Sequence, residues 1–293
     1  MGWFNEEHGQ ILARFAFFVV LPPFMFIAIT SSPITNDIDL TFLLQYEIST
    51  IIVFLAAVII GRRVFVLKKS DPAMFGLNSS MPNYGYIGVP LCLLAFGSGA
   101  AIPMALILVA DTIILLTLAA LVAAQSDINS RRNSLNKMAF SMIRNPLLLS
   151  VLIGLFALSL DINLPPTSAL LLDILAGAAA PTALFALGIT LVGQPISSVK
   201  TELGVLVIFK LIVHPLLTAT IFLSWPLFGF DKIDVTWVKV AILFSCLPIA
   251  ANVYALSQFY RTYSGRSATA IMATTALASI TVPITLFFLE QLG

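Results

Sequence analysis

Charge is what this chain has least of. Its 15 Lys and Arg and 14 Asp and Glu make up 10% of 293 residues, against about 25% in a soluble domain. The net charge of +1 offers no basic surface, so no nucleic-acid partner is expected. Cysteine is nearly absent. Cys92 and Cys246 sit in separate apolar stretches, which excludes a disulfide framework and metal-ligand spacing. The two histidines, His8 and His214, cannot build a repeated metal site, and no metal is expected. No phosphate-binding loop of the GxxxxGKS/T type is present, so an ATP-driven pump would need another subunit. Ser150 and Ser224 lack a His–Asp arrangement. Nothing points to an enzyme, and no cofactor is expected. A cleavable signal peptide is also missing: residues 1–10 are polar, and the apolar run behind them has no small-residue cleavage site.

What fills the space is apolar residue, 59% of the chain, with a mean hydropathy of +1.01. A membrane helix needs about 20 apolar residues, because its backbone must be satisfied without water. Nine such spans are expected, over 10–30, 46–66, 73–97, 100–124, 143–160, 167–192, 204–224, 237–260 and 267–290. The runs are continuous rather than alternating, which argues against a β-barrel. Arg62, Arg63, Lys68, Lys69, Arg131, Arg132, Lys137, Arg144, Lys200, Arg261 and Arg266 fall in alternate loops. Asp37, Asp39, Glu47, Asp161, Asp231 and Asp234 fall in the others, where Lys232 is the one cation. Basic loops face the cytoplasm. The expected protein is therefore integral to a plasma membrane, the inner one in a bacterium, with its amino terminus inside and its carboxyl terminus outside.

An internal repeat lies within this pattern. The stretches from Met81 and from Leu247 align with a shift of 166 residues, placing Pro82 on Pro248, Ser98 on Ser264 and Gly99 on Gly265. The span count between them makes the copies inverted, as in many secondary transporters. Spans one to four pair with six to nine, giving repeats over 10–124 and 143–290 of one transmembrane domain, 1–293. The fifth span has no partner, so a five-plus-five arrangement predicts one more helix before this chain begins. Two paired spans are interrupted. The third carries Asn78, Pro82, Gly85, Gly88 and Pro90, and the eighth carries Pro248, Asn252, Tyr254, Ser257 and Gln258. Proline removes a helical hydrogen bond, and irregular backbone is tolerated at depth only where protein or a watery cavity satisfies it. Paired broken helices point to a transporter's binding site, and half-helix amino ends favour anions. Asn83 and Asn252 add neutral donors there.

At NYGYIGVPL the chain resembles the auxin efflux carrier family, whose bacterial members include malate permease-like proteins. The likeness extends through RFAFFVVLPPFMF, IRNPLLLSVLIGL, APTALFALGITL and the segment from Leu247 to Thr285. The resemblance maps the first signature to Asn83, Gly85, Gly88 and Pro90, and the second to Pro248, Ala251, Asn252, Ser279 and Pro283. It implies an all-α, ten-helix inverted repeat with two crossing broken helices, of which nine helices are present here. It implies transport of organic anions, a scaffold of spans one, five and six, a moving core of the rest, and a homodimer. The short 125–142 loop fits a bacterial-type member.

Charges within a membrane are costly and usually functional. Asp111 lies mid-span in LILVADTIILL, able to bind a proton or cation, or to bond Thr274, Thr275 or Ser279. Lys210 and His214 share a helix face; Lys210 either snorkels to the interface or holds a fixed charge beside Asp111 or a substrate. Glu47 and Asp173 read as interfacial. The substrate-binding candidates are Asn83, Tyr84, Gly85, Gly88, Pro90, Pro248, Asn252 and Tyr254. The ion-coupling candidates are Asp111, Lys210, His214 and Ser279. The leading function is a secondary transporter of small organic anions such as malate, working in the lipid bilayer with a proton or sodium as possible coupling ion. The alternatives are a cation-coupled carrier of another solute on the same fold and a non-transporting membrane receptor.

Overall fold

The computed structural model describes residues 6–32, 39–123, 144–162, 164–191 and 200–292. Among these the chain is helical apart from turns and one isolated antiparallel bridge. In chain order the helices are α1 (Glu7–Thr30), α2 (Leu40–Arg63), α3 (Asp71–Ser80), α4 (Tyr84–Phe96), α5 (Ser98–Ala123), α6 (Pro146–Ser159), α7 (Pro166–Gly177), α8 (Ala179–Leu191), α9 (Thr201–Phe228), α10 (Val235–Cys246), α11 (Asn252–Phe259) and α12 (Ser264–Glu290). Six segments among the described residues are long and apolar enough to cross a bilayer: α1, α2, α5, α9, α12 and the run Pro166–Ala186. The helices α4, α6 and α10 are apolar but shorter. This is the architecture of a polytopic helical membrane protein.

The expected third and eighth spans are each split, into α3 and α4 and into α10 and α11. The expected sixth span carries an interruption at Ala178, between α7 and α8. Pro181 explains it, since its ring lacks an N–H and crowds the Gly177 carbonyl four residues back. Aspartates expected only as loop charges turn out to start helices. Asp39 accepts from the Thr41 N–H (2.8 Å) and Asp234 from the Thr236 N–H (2.8 Å), each capping the helix that follows. Of the residues read as topology signals, Asp37, Arg131, Arg132 and Lys137 lie outside the described residues.

Proline also shapes helices without breaking them. α-Helical geometry widens to a π turn at Ala16–Val20, Tyr84–Gly88 and Phe209–Val213. Each turn ends two residues before a proline: Pro22, Pro90 and Pro215. In the first and third, the residue ahead of the proline bonds five residues back, Leu21 N–H to the Ala16 carbonyl and His214 N–H to the Phe209 carbonyl. A proline cannot donate to the carbonyl four residues back and its ring presses on it; widening the preceding turn relieves both defects without ending the helix.

By internal contacts the chain forms two compact units. The first comprises α1, α4, the start of α5 through Leu106, and α6, α7 and α8. In it α1 packs against α6, α7 and α8. Gly154 of α6 lies so close to α1 that an added Cβ would stand 3.3 Å from Ile29. The Tyr86 hydroxyl of α4 donates to the Ala13 carbonyl at 3.3 Å.

The second unit comprises α2, α3, α5 from Ile107, and α9 to α12. A close approach in it is at Gly76 of α3, which faces Phe54 and Val58 of α2. Without a hydrophobic drive between membrane helices, such close packing carries the association. At one end of the unit, a turn with Arg261 and Tyr263 at positive φ (50° and 63°) leads into α12. There the Thr262 hydroxyl donates to Asp71 and the Tyr263 hydroxyl to Glu202. Arg266 pairs with the same Glu202 at 3.2 Å. Burial and the Glu202 carboxylate hold the Tyr263 phenol well above its ordinary pKa, so it stays a donor.

Gly76→Ala tests the α2–α3 contact. The new Cβ would sit 2.7 Å from the Phe54 ring and 2.9 Å from Val58. Helix propensity favours alanine by about 1 kcal/mol, while overpacking costs about 1–3 kcal/mol. The clash is expected to win, lowering the unfolding temperature of the purified protein in detergent; an unchanged or higher value would show that α2 and α3 are not packed this closely.

Candidate functional site

Two adjoining features of the second unit collect most of the residues singled out by sequence. The first is the place where the two broken spans meet. α3 ends at Ser80 and α10 at Cys246, and the chain beyond each is extended at Met81 and Leu247. Pro82 and Ile249 then pair antiparallel. The Asn83 N–H donates to the Pro248 carbonyl (2.9 Å) and the Ala250 N–H to the Met81 carbonyl (3.0 Å). The Ile249 N–H turns instead to the Thr274 hydroxyl of α12 (3.2 Å). Met81 and Leu247 donate back into their own helices, to Leu77 and Phe244. Pro82 and Pro248 have no N–H to place. The N–H groups of Met81, Asn83, Leu247, Ile249 and Ala250 are thus all taken by protein acceptors, as depth in a membrane demands.

Side chains at this crossing differ in access. Asn83 and Pro248 are buried, while Asn252 and Tyr254 are exposed at the start of α11. No side chain caps that helix start. Its Val253 and Tyr254 N–H groups bond the Ala250 and Ala251 carbonyls (3.1 and 3.2 Å), and the positive end of the helix dipole lies beside Asn252. The Tyr254 hydroxyl accepts from Gln258 at 2.9 Å. The structure therefore brings Asn83, Pro248, Asn252 and Tyr254 to one part of the second unit. Tyr84, Gly85, Gly88 and Pro90 belong to α4 in the first unit, on its π turn and the helix that follows. Asn78, expected as part of the break, lies in intact α3 and donates to the Met74 carbonyl (2.8 Å) and the Ser267 hydroxyl (2.9 Å).

The second feature is a buried polar cluster drawn from α2, α5, α9 and α10. Lys210 is fully buried. Its Nζ donates to the Ser245 carbonyl at 2.8 Å and lies 3.2 Å from His214 Nδ1. It does not snorkel; the carbonyl at the end of α10 holds it. With Lys210 as an ammonium group, which can only donate, Nδ1 accepts and the imidazole proton resides on Nε2. Nε2 is 3.1 Å from the Thr50 hydroxyl of α2. The His214 carbonyl accepts from Thr218, whose hydroxyl meets Ser49 at 2.9 Å.

Asp111 of α5 is wholly buried, and neither carboxyl oxygen has a hydrogen-bond donor. Its electrostatic neighbours are Glu47, Thr50 and Lys210, rather than Thr274, Thr275 or Ser279. Ser279 is exposed, and its hydroxyl donates to the Ala276 carbonyl of its own helix at 2.6 Å. Asp111, Lys210 and His214 are therefore gathered, and Ser279 stands apart from them. Glu47 is the residue that sequence reading missed. Expected at the interface, it is buried with 6% exposure beside Asp111. The span containing it starts at Leu40 rather than residue 46, which carries Glu47 about two turns into the helix. Tyr46, Glu47, Ser49 and Thr50, four polar groups within five residues of an apolar span, were the signal available.

The arrangement joins a helix crossing with anion-attracting character to buried groups able to take up or release a positive charge. A family described as "Membrane transport protein" matches residues 1–286. A protein of Rhizobium meliloti (strain 1021), described as "Putative malonate transporter", is 31% identical over 293 residues, covering 99% of this chain and 88% of the relative. With nearly its whole length matched, this chain belongs to the membrane transport protein family, that of the auxin efflux carriers its motifs resemble.

Proposed function

We propose that the protein is a secondary active transporter of small organic anions, with dicarboxylates such as malonate or malate as its substrate class. The observation that carries this reading is the crossing of the two broken spans, where Asn83 and Pro248 are joined by a backbone hydrogen bond and the uncapped start of α11 presents Asn252. A carboxylate is the ligand that such a helix end and asparagine donors recognise. The relative named for malonate favours the short dicarboxylates among the organic anions. In this reading the fold is an inverted repeat of two five-helix halves. The core helices carry the crossing, and their rigid-body movement exposes it to each side in turn. The make-up of the two units supports that division. α1, α6, α7 and α8 fall together, as the scaffold should, and α2, α3, most of α5 and α9 to α12 fall together, as the core should; α4 and the start of α5, assigned to the core, fall instead with α1 and α6 to α8.

Asp111, Lys210 and His214 are assigned to coupling rather than to substrate contact, because they form a buried group of ionisable side chains, able to exchange a proton or balance a cation. Their burial also favours a second reading, a cation-coupled carrier of some other solute. Imposed gradients separate the two. In proteoliposomes, labelled malonate or malate should accumulate when a proton or sodium gradient is applied. A correctly folded protein that moves neither dicarboxylate under any gradient would defeat the substrate assignment.

Asn83→Ala should lower uptake by at least about tenfold, since a hydrogen bond to a charged group contributes about 1.5–3 kcal/mol. Uptake at the original rate would remove Asn83 from the site. Asp111→Asn should flatten the pH profile of uptake, because the amide cannot exchange a proton. A profile with its original shape would exclude Asp111 from coupling.

A further inference from the structure

Two carboxyl groups stand side by side inside this protein with no donor between them. Glu47 on α2 and Asp111 on α5 are electrostatic neighbours, both buried, and none of their four oxygens has a hydrogen-bond partner among the described residues. Two carboxylates facing one another look this way, because both are acceptors only. The hydroxyl of Tyr46, wholly buried and close to both acids, also lacks a partner. The groups around them fix the charge. With its Nζ protonated and donating to the Ser245 carbonyl, Lys210 on α9 supplies one positive charge. His214 accepts from Lys210 and is neutral. The Cys246 thiol on α10 donates to the Leu243 carbonyl at 3.1 Å and is neutral too. With both acids ionised the cluster would hold a net charge of minus one, in a setting where a lone buried charge is strongly disfavoured.

We infer that Glu47 and Asp111 form a single-proton site: one carboxyl carries the proton and donates it to the other, and that proton is the one exchanged during transport. A proton arriving forms an O–H bond on one carboxylate oxygen. On departure the same bond breaks, leaving both acids ionised beside Lys210 and Tyr46. Bound, the proton turns one of the acids into the missing donor and brings the cluster to neutrality with Lys210 charged. The exchange role rests on the transport reading proposed above, whereas the shared proton rests on the cluster alone.

Difference infrared spectroscopy of the purified full chain in lipid, near neutral pH, reads the carboxyl directly. The wild type should show one protonated-carboxyl C=O band. Glu47→Gln and Asp111→Asn should each abolish it, because the remaining acid is balanced by Lys210 and ionises. Both substitutions keep the side chain's size, and helical circular dichroism reports that each variant is folded. Lys210→Met should double the band by removing the positive charge. No band in the wild type, or a band that survives one of the two acid variants, would overturn the shared proton. Disappearance of the wild-type band on adding sodium chloride at fixed pH would overturn it as well, in favour of a metal cation. Uptake of labelled malonate by the same preparations is read separately. A band that behaves as expected in a protein that transports nothing would leave the proton pair standing and defeat the transport reading.

Discussion

Peptide N–H groups left unbonded in the interior of a membrane are too costly to keep, and the second unit is organised around a place where two helices break off. At the crossing, two strands of only a few residues exchange a reciprocal pair of backbone hydrogen bonds. A third donor, that of Ile249, is taken by Thr274, which ties α12 to the same point. The two prolines make this solution possible, because each ends a helix while bringing no donor of its own. The result holds the ends of α3 and α10 together and leaves the start of α11 without a cap. A structural constraint thereby produces the electrostatic feature that an anion can use.

Lys210 extends the same logic from backbone to side chain. The last turn of α10 exposes carbonyls that a helix cannot satisfy itself, and the ammonium group takes the one from Ser245. Its second bond, to His214, continues through Thr50 to α2. The crossing and the charge cluster thus share α10, so a change in the protonation of the acids beside Lys210 has a short physical route to the helix end next to the break.

The sequence carried the breaks plainly, because proline acts locally and Pro82 and Pro248 need no neighbour to disrupt a helix. Asp111 and the Lys210–His214 pair were legible for a similar reason: a charge in an apolar run is conspicuous, and a spacing of four defines a face. Other features depended on information that a single chain does not display. Whether Lys210 snorkels or turns inward is decided by which helix end lies opposite it. Glu47 was misread because its helix begins earlier than the hydropathy suggests, with Thr41 and Gln45 diluting the apolar signal. Ser279 matched a family motif, but a serine on a helix can bond to its own backbone, and here it does. The interruption at Ala178 was readable in retrospect from Pro181, the same local cause as the other breaks.

The π turns inside α1 and α9 carry a consequence for how substitutions would be tolerated along those two helices, whereas that of α4 opens its helix. Each of the two internal turns accommodates an extra residue in its helix, and one residue of an α-helix turns the following side chains by about 100°. The buried stripe after the turn is therefore offset from the stripe before it. A mutational scan of α9 plotted on one regular helical wheel would appear to lack a consistent buried side. Plotted as two wheels joined at Phe209–Val213, the same data should resolve into two narrow faces, one of them beginning at His214.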